Sequence, residues 1–487
     1  MKILIAYPPL SGPGFPTLGQ NRQFQWLHRP SRIYPLVPAS AATLLATHGY
    51  HVLWKDAIAQ GWSWGRFERY AILAHPDMVV METKTPVVKQ HWRIIDSLKG
   101  DLPNAKFVLT GDHVTALPRE TLEKCPVDYV LTGGDCDISL LGLVKHLCKG
   151  AELPAGIWHR EGGEIANTGP FEPCGEPVSL PFIDRDLTDC RLYGERLYRR
   201  TPFTYTYAGR DCPHGRCTFC SWTSLFPKFR IRSPRSLADE IERLVVDRGV
   251  REIFDDTGTL PAGEWLERFC AEMIRRKLGR RVRVSCNFRS DYLLKSDLPL
   301  MKRAGFRLMK IGLESANQQT LDRLEKGLEI ASFKDSLRAA KRAGLEIHLT
   351  VMLGYPWERR EDAERTVRFA RECMSGGLAD MLQATIIVPY PGTPLYKEAL
   401  ENGWFRIAPD DYDRFDMSST VLKTPDMSPE DVISLCNRCY GGFLSPGYIR
   451  RQIKSIRSFY DIRFLMRGAN AVFGHLADFS KKGRGGG

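Results

Sequence analysis

Residues 211–220 read Asp211-Cys212-Pro213-His214-Gly215-Arg216-Cys217-Thr218-Phe219-Cys220, directly after FTYTYAGR (203–210), an alternating run that reads as a β-strand. Three thiols within nine positions at a strand end can converge on one centre without help from distant chain. They are one ligand short of a closed structural zinc site, which His214 would complete as a zinc knob. Alternatively, they hold an iron–sulfur cluster whose remaining iron stays open to a substrate or cofactor.

Outward from this loop the chain alternates strand and helix. REIFDD (251–256), RVRVSCNF (281–288), LMKIGLE (308–314), LEIHLTVMLG (345–354) and LQATIIVPY (382–390) read as further strands. Helices are expected at Ser236–Asp247, Gly263–Arg276, Asp297–Ala304, Asn317–Leu324, Phe333–Ala343 and Glu361–Ser375. Six strands, each followed by a helix or loop, imply a partial parallel (β/α)6 barrel. The first 150 residues show the same alternation, in KILIAYPP, HVLWKDA, DMVVMETKT, KFVLTGDH and DYVLTGGD. That is an N-terminal doubly wound, Rossmann-like parallel sheet, whose ligands sit beyond the carboxyl ends of the strands. The fold class is therefore α/β, divided into a Rossmann-like domain at 1–150, a Pro-, Gly- and acid-rich linker at 151–201, a barrel at 202–404 and a mainly helical region at 405–487.

The totals fit that division. A chain of 487 residues, 43% hydrophobic and 26% charged, is too long for one core and too apolar to be disordered. No run of 18 apolar residues marks a membrane helix, and the opening MKILIAYPP reads as a strand rather than a signal peptide. A cytoplasmic location is expected, with the 13 cysteines reduced. Cys436 and Cys439, one helical turn apart, read as core packing. The net charge is +12, and from Gly447 onward nine Lys/Arg stand against Asp461 and Asp478. A basic, aromatic C-terminus with SFYDIRF (458–464) is compatible with a solvated helix face, with nucleic acid or with peripheral contact to an anionic membrane. No recognisable RNA-binding module accompanies it, so nucleic acid is not the expected partner.

Taken together, the cysteine loop with Ser221-Trp222, Arg232-Ser233-Pro234, Phe254-Asp255-Asp256, IGLES (311–315), MLGYPWE (352–358) and PYPGTPLY (389–396) resembles radical S-adenosylmethionine (SAM) enzymes that carry an N-terminal cobalamin-binding domain. Within that family the chain is most similar to the branch of anaerobic magnesium-protoporphyrin ester cyclase and the hopanoid-biosynthesis enzymes. The resemblance implies that Cys212, Cys217 and Cys220 bind a [4Fe–4S] cluster. SAM would chelate the open iron and be cleaved to a 5′-deoxyadenosyl radical, with an external donor such as flavodoxin or ferredoxin supplying the electron. It further implies SAM contacts from Phe219, Asp255, Asp256, Glu314, Met352 and Gly354, and cobalamin contacts from Pro8, Pro9, Thr83, Gly111, Asp112, His113, Thr115, Gly133 and Gly134. The implied activity is methylation of an unactivated carbon in a small or lipid-like substrate. Radical cyclisation or rearrangement is the alternative, and a non-catalytic cobalamin- or metal-binding module a third reading.

Two departures stand out. Four residues separate Cys212 from Cys217 where the family has three, an insertion that Gly215 can absorb because glycine reaches backbone conformations closed to other residues. The Asp-x-His-x-x-Gly signature of many corrinoid proteins is absent after the first strand, where Tyr7-Pro8-Pro9 stands. Gly133-Gly134-Asp135-Cys136 likewise replaces the more acidic run usual in this branch.

Overall fold

In a computed structural model, the residues described are 1–19, 24–173, 180–194, 198–293 and 298–482, with side chains to 470. Seven strands form the first sheet: β1 (Lys2–Tyr7), β2 (His51–Asp56), β3 (Met78–Glu82), β4 (Lys106–Thr110), β5 (Tyr129–Leu131), β6 (Ile157–Glu161) and β7 (Glu164–Asn167). Their order is β2-β1-β3-β4-β5-β6-β7. The first five strands are parallel and are joined by helices that include Leu36–Thr47, Trp64–Ala74 and Val88–Asp101, and the helix Cys136–Lys149 follows the fifth. Near-continuous apolar strands such as KILIAY are required here because both faces of the sheet are covered. This strand order is that of flavodoxin-like sheets, with the switch point between β1 and β3. At that point Tyr7 donates its buried hydroxyl to Glu82 Oε2 at 2.7 Å.

The stretch read as a linker differs from expectation. β6 and β7 form a hairpin that pairs antiparallel to β5 and extends the first sheet to Asn167. Gly162 and Gly163 both take positive φ, 58° and 90°. Two left-handed residues in a two-residue turn match the twist of the flanking strands.

The second sheet contains β8 (Phe203–Thr206), β9 (Glu252–Asp255), β10 (Arg283–Phe288), β11 (Phe306–Glu314), β12 (Glu346–Leu353) and β13 (Met381–Ile386), all parallel and in sequential order. This is the partial barrel expected from the sequence. Its outer helices bury residues at helical spacing, such as Leu266, Phe269, Cys270 and Met273 of Glu264–Arg275. The helix expected from Asp297 is described from Leu298 to Ala304, Asp297 itself lying outside the described residues.

The C-terminal region spans the side that the barrel leaves open. The helix Pro429–Tyr440 starts on a Ser428 cap and buries Cys436 and Cys439. Its Tyr440 hydroxyl accepts from the Ala384 amide of β13 at 3.1 Å. The helix Phe459–Lys482 is tied to the segment before β8, where Arg199 pairs with Asp461 at 2.9 Å and Arg467 donates to the Tyr198 carbonyl. The two edge strands of the barrel are thus bridged by one helical segment. Of the basic tail, residues 483–487 lie outside the described part of the chain. Among the described residues no helix is long and apolar enough to cross a membrane.

Candidate functional site

The cysteine loop leaves the barrel after β8 and the short pairing of Gly209–Arg210 with Arg230–Ile231. It is held by bonds to a distant turn. The Thr218 amide donates to the Leu324 carbonyl at 3.1 Å, and His214 Nε2 donates to the Glu325 carbonyl at 2.6 Å. The turn within the lengthened spacing falls at Gly215, with φ of 57°. Among the described residues no three of His, Cys, Asp and Glu are placed to hold a single metal ion. His214 is accordingly not gathered with the three thiols around one zinc position. The thiols of Cys212, Cys217 and Cys220 instead stand around the wall of one cavity of about 740 Å³. Burial pushes the Cys220 thiol up to about 12 and raises that of Cys217. A metal centre taking these sulfurs as thiolates must therefore displace protons.

The cavity runs into the barrel lumen. Glu314, at the end of β11, takes a φ of 67°, a left-handed conformation unusual for a residue with a side chain. Its carboxylate pairs with Lys326 at 2.9 Å. Burial works against the Lys326 ammonium, but the neighbouring Glu314 more than offsets it and holds the lysine above its ordinary value. Phe219, Glu314 and Met352 line the cavity together. Asp255, Asp256 and Gly354 are not brought there. Asp255 and Asp256 are buried, with Asp255 Oδ1 accepting from the Thr257 amide at 3.2 Å and burial pushing its carboxyl up to about 6. The loop just beyond them, Gly258-Thr259, faces the cavity instead, and Thr259 Oγ1 accepts from Cys212 Sγ at 3.2 Å. Gly354 borders a separate pocket of about 180 Å³ against Val432.

The nine residues read as cobalamin contacts lie at the carboxyl end of the first sheet, and none of them lines the cavity. Pro8 is buried and Pro9 half-buried at the end of β1. Thr83 Oγ1 bonds His91 Nδ1 at 2.8 Å, and Asp112 pairs with buried Lys84 at 2.9 Å. A Cβ on Gly111, where φ is 126°, would lie 2.1 Å from the Thr83 carbonyl oxygen. Thr115 Oγ1 donates to the Gly111 carbonyl and accepts from the Gly133 amide. Gly133 and Gly134 lie under the rings of Phe171 and Phe226. His113 is fully buried between Trp92 and Tyr412, their ring centroids 6.2 and 4.6 Å away, and burial lowers its pKa to about 3. Those loops thus meet the barrel and the C-terminal segment, with Asp135 at the centre of the contact. Arg210 reaches Asp135 at 2.7 Å and Asp137 at 2.5 Å, Arg230 reaches Asp135 at 2.6 Å, and all four side chains are buried. Burial pushes the Asp135 carboxyl up, but Arg230 and Arg210 more than offset this and hold it below the usual carboxylate range.

The part of the N-terminal domain that faces the cavity is the loop after β1, through Thr17, Gln25, Leu27, His28, Arg29, Ser31 and Ile33. The barrel adds Asn287, Arg289, Lys310, Lys326, His348, Thr350 and Gln383, none of which sits in a recognisable motif. A signal for some of them existed: Lys310-Gly312-Glu314 and His348-Thr350-Met352 recur with a period of two in otherwise apolar strands, which puts each set on one face.

An α/β partial barrel with three thiols at the wall of its lumen, behind a doubly wound domain, defines the class. Residues 206–370 match the Radical SAM superfamily, and the chain carries a radical SAM domain, whose cofactors are a [4Fe–4S] cluster and SAM. It is 26% identical over 424 residues to an uncharacterized methyltransferase of Pyrococcus horikoshii, covering 86% of this chain and 89% of that one. It is 28% identical over 369 residues to the anaerobic magnesium-protoporphyrin IX monomethyl ester cyclase of Cereibacter sphaeroides, covering 73% of this chain and 57% of the cyclase. Its fold is similar to that of the radical SAM methyltransferase TsrM of Kitasatospora setae, solved with cobalamin and a [4Fe–4S] cluster, with a TM-score of 0.67, 15% identity and coverage of 98% and 99%.

Proposed function

We propose that this chain is a cobalamin-dependent radical SAM methyltransferase acting on an unactivated carbon of a small or lipid-like molecule. The observation that carries the reading is that the three thiols, the Glu314–Lys326 pair and the loop after β1 all face one cavity. Cys212, Cys217 and Cys220 would hold the cluster, and the donor set fits: three thiols on one wall, with no fourth ligand closing the centre among the described residues. Residues 1–150 would serve the corrinoid, 202–404 the cluster and SAM, and 405–487 the cover. Glu314 would accept hydrogen bonds from SAM, beside Phe219 and Met352. The seat available to a corrin is the cavity-facing loop rather than the nine covered residues: Gln25, His28, Arg29 and Ser31 offer hydrogen bonds, and Leu27 and Ile33 an apolar face. Bound in these places, the cluster supplies the electron for reductive cleavage of SAM, and the corrinoid supplies a transferable methyl group.

The chain's own part is orientation and exclusion of water. Lys326 fixes the Glu314 carboxylate, and the helices after Pro429 close the open side of the barrel over the lumen. The twelve cysteines described are all free thiols, in keeping with a reducing, cytoplasmic setting and an electron donor such as flavodoxin or ferredoxin. Anaerobic purification with corrinoid supplied tests both cofactors at once. The expected result is about four irons and one cobalt per chain, with reductive SAM cleavage. Protein without iron would overturn the cluster assignment. Iron-loaded protein that turns over without cobalt would overturn the cobalamin dependence, whereas cobalt-loaded protein that transfers no methyl group from labelled SAM would favour cyclisation or rearrangement, the reading that similarity to the cyclase supports.

The C-terminal face suits an anionic membrane surface as the source of the substrate. Ile453, Phe459 and Met466 are 63%, 75% and 63% exposed, beside exposed Arg450, Lys454, Arg457 and Arg463. The protein is expected to float with anionic liposomes at low salt and to be released as salt rises. Protein that stays wholly in solution at low salt would count against membrane contact.

A further inference from the structure

The cover over the lumen is incomplete. Leu444, Ile449 and Ile453 line the cavity and yet are 57%, 46% and 63% exposed. Gly468 and Ala469 of the helix Phe459–Lys482 line it as well and are exposed. Residues that border both the lumen and the outside mark a mouth, here between that helix and the helix Pro446–Ser455. A Cβ on Gly468 would meet nothing within 4 Å. Alanine is the better residue inside a helix, so glycine gains no packing or helix stability there, and its effect is to keep the gap wide. The other exposed lining residues, His28 and Arg29, come from the loop after β1.

The surface around this mouth is amphipathic. Ile449 and Ile453 stand one turn apart, and so do Arg450 and Lys454, which makes an apolar stripe at the mouth and a basic stripe beside it. On the longer helix Phe459, Ile462 and Met466 are exposed at helical spacing. From Pro446 to Asn470 the exposed charges are Arg450, Lys454, Arg457 and Arg463, all positive, while Asp461 is paired with Arg199 at 2.9 Å. Exposed apolar side chains among cations fit the interface of an anionic bilayer. We infer that this mouth is seated on such a bilayer and that an apolar substrate passes from the lipid into the lumen without entering water. This rests on the membrane contact and the lipid-like substrate read above and adds the route between them. Each methylene lowers the share of a molecule dissolved in water about fourfold, so a long-chain substrate reaches a lumen that opens on lipid far sooner than one that opens on solvent. Lipid against the mouth also keeps water out of the lumen.

The test follows a neutral fluorescent chain, parinaryl alcohol, bound to cluster-loaded, full-length protein and mixed with vesicles that carry a quencher lipid. With equal parts of phosphatidylcholine and phosphatidylglycerol, the transfer rate should rise in proportion to vesicle concentration, as direct contact requires. Vesicles of phosphatidylcholine alone should lower it at least about tenfold. Gly468→Trp puts a bulky side chain into the open gap and keeps every exposed cation. It should float with anionic vesicles like wild type but transfer severalfold more slowly, and Gly468→Ala should change neither. Protein that floats yet transfers at a rate independent of vesicle concentration would overturn the route and leave membrane contact standing, and so would a Gly468→Trp variant that transfers at full rate. If the protein does not bind the alcohol, the lipid-like reading falls and the route with it. If it binds the alcohol but stays in solution, membrane contact falls and the route with it, and elution as a dimer would then assign the face to a second copy of this chain.

Discussion

Cys217→Ala is expected to abolish reductive SAM cleavage, to below about a thousandth of wild type, while leaving the fold intact. The loop is positioned by backbone bonds rather than by its sulfurs: Thr218 to Leu324, His214 to Glu325, and the Leu395 amide to the Thr218 carbonyl at 3.0 Å. Removing one thiol therefore leaves the wall of the cavity in place and takes away one of three anchors. Two thiolates cannot hold a cluster that the protein grips on one side, so iron content should fall with activity. Cys148→Ser is the matched control, since that thiol is exposed and lies on the helix Cys136–Lys149, away from the cavity lining. Iron per chain, the visible absorbance of the reconstituted protein and methionine release from SAM give three readouts. A Cys217→Ala variant with full activity would sink the cluster assignment. A variant that loses activity and also its thermal transition would show instead that the loop is structural, and Cys212→Ala, at the other end of the loop, would separate the two.

The parts of this architecture that were legible share a physical reason. Most of the barrel strands announce themselves because each is an apolar-rich, largely buried stretch bounded by polar residues or glycine, whereas the first, FTYT, shows by alternation, so local composition carries the information. The same holds for the five parallel strands of the first sheet. The hairpin at 157–167 was missed although Glu161-Gly162-Gly163-Glu164 is a strong turn signal, because the acidic, glycine-rich surroundings outweighed two short strands. Asp255 and Asp256 show a different limit. A strand-end carboxylate looks like a ligand in sequence, but the chain turns so that Asp255 bonds the Thr257 amide and the next residues, Gly258 and Thr259, line the cavity instead. The loops at 111–115 and 133–134 are covered by Phe171, Phe226 and Tyr412, which come from far along the chain, and no local pattern encodes those encounters. Asn287, Lys310 and His348 come to the cavity together only because neighbouring strands set them in register, so each residue taken alone reads as an ordinary polar position.

The Arg210 contact is the other such encounter, and its loss should be the most damaging single change to stability outside the cores. Arg210 follows the first barrel strand, whereas Asp135 and Asp137 begin the helix Cys136–Lys149 of the first domain, so the pairs join the two domains directly. Side-chain exposures of 2% for Arg210, 1% for Asp135 and 0% for Asp137 leave no water to take over the charges. Arg210→Met is therefore expected to destabilise the protein by about 3–5 kcal/mol, the usual result of leaving a buried charge without its partner. The loss should fall unevenly. Asp135 keeps Arg230 at 2.6 Å, whereas Asp137 keeps the Ser40 hydroxyl, which donates at 2.7 Å but carries no charge. Adding Asp137→Asn to Arg210→Met should then recover more than half of the loss, because it removes the stranded charge and not merely a bond. Urea unfolding monitored by tryptophan fluorescence measures both variants. If the first domain and the barrel unfold together in wild type, Arg210→Met should also split the transition, since the clamp between them is what it breaks. A single variant that loses less than about 1 kcal/mol would place the pairs with exposed ion pairs, which contribute little. The coupling of the domains would then have to come from the aromatic covers over Gly133 and Gly134.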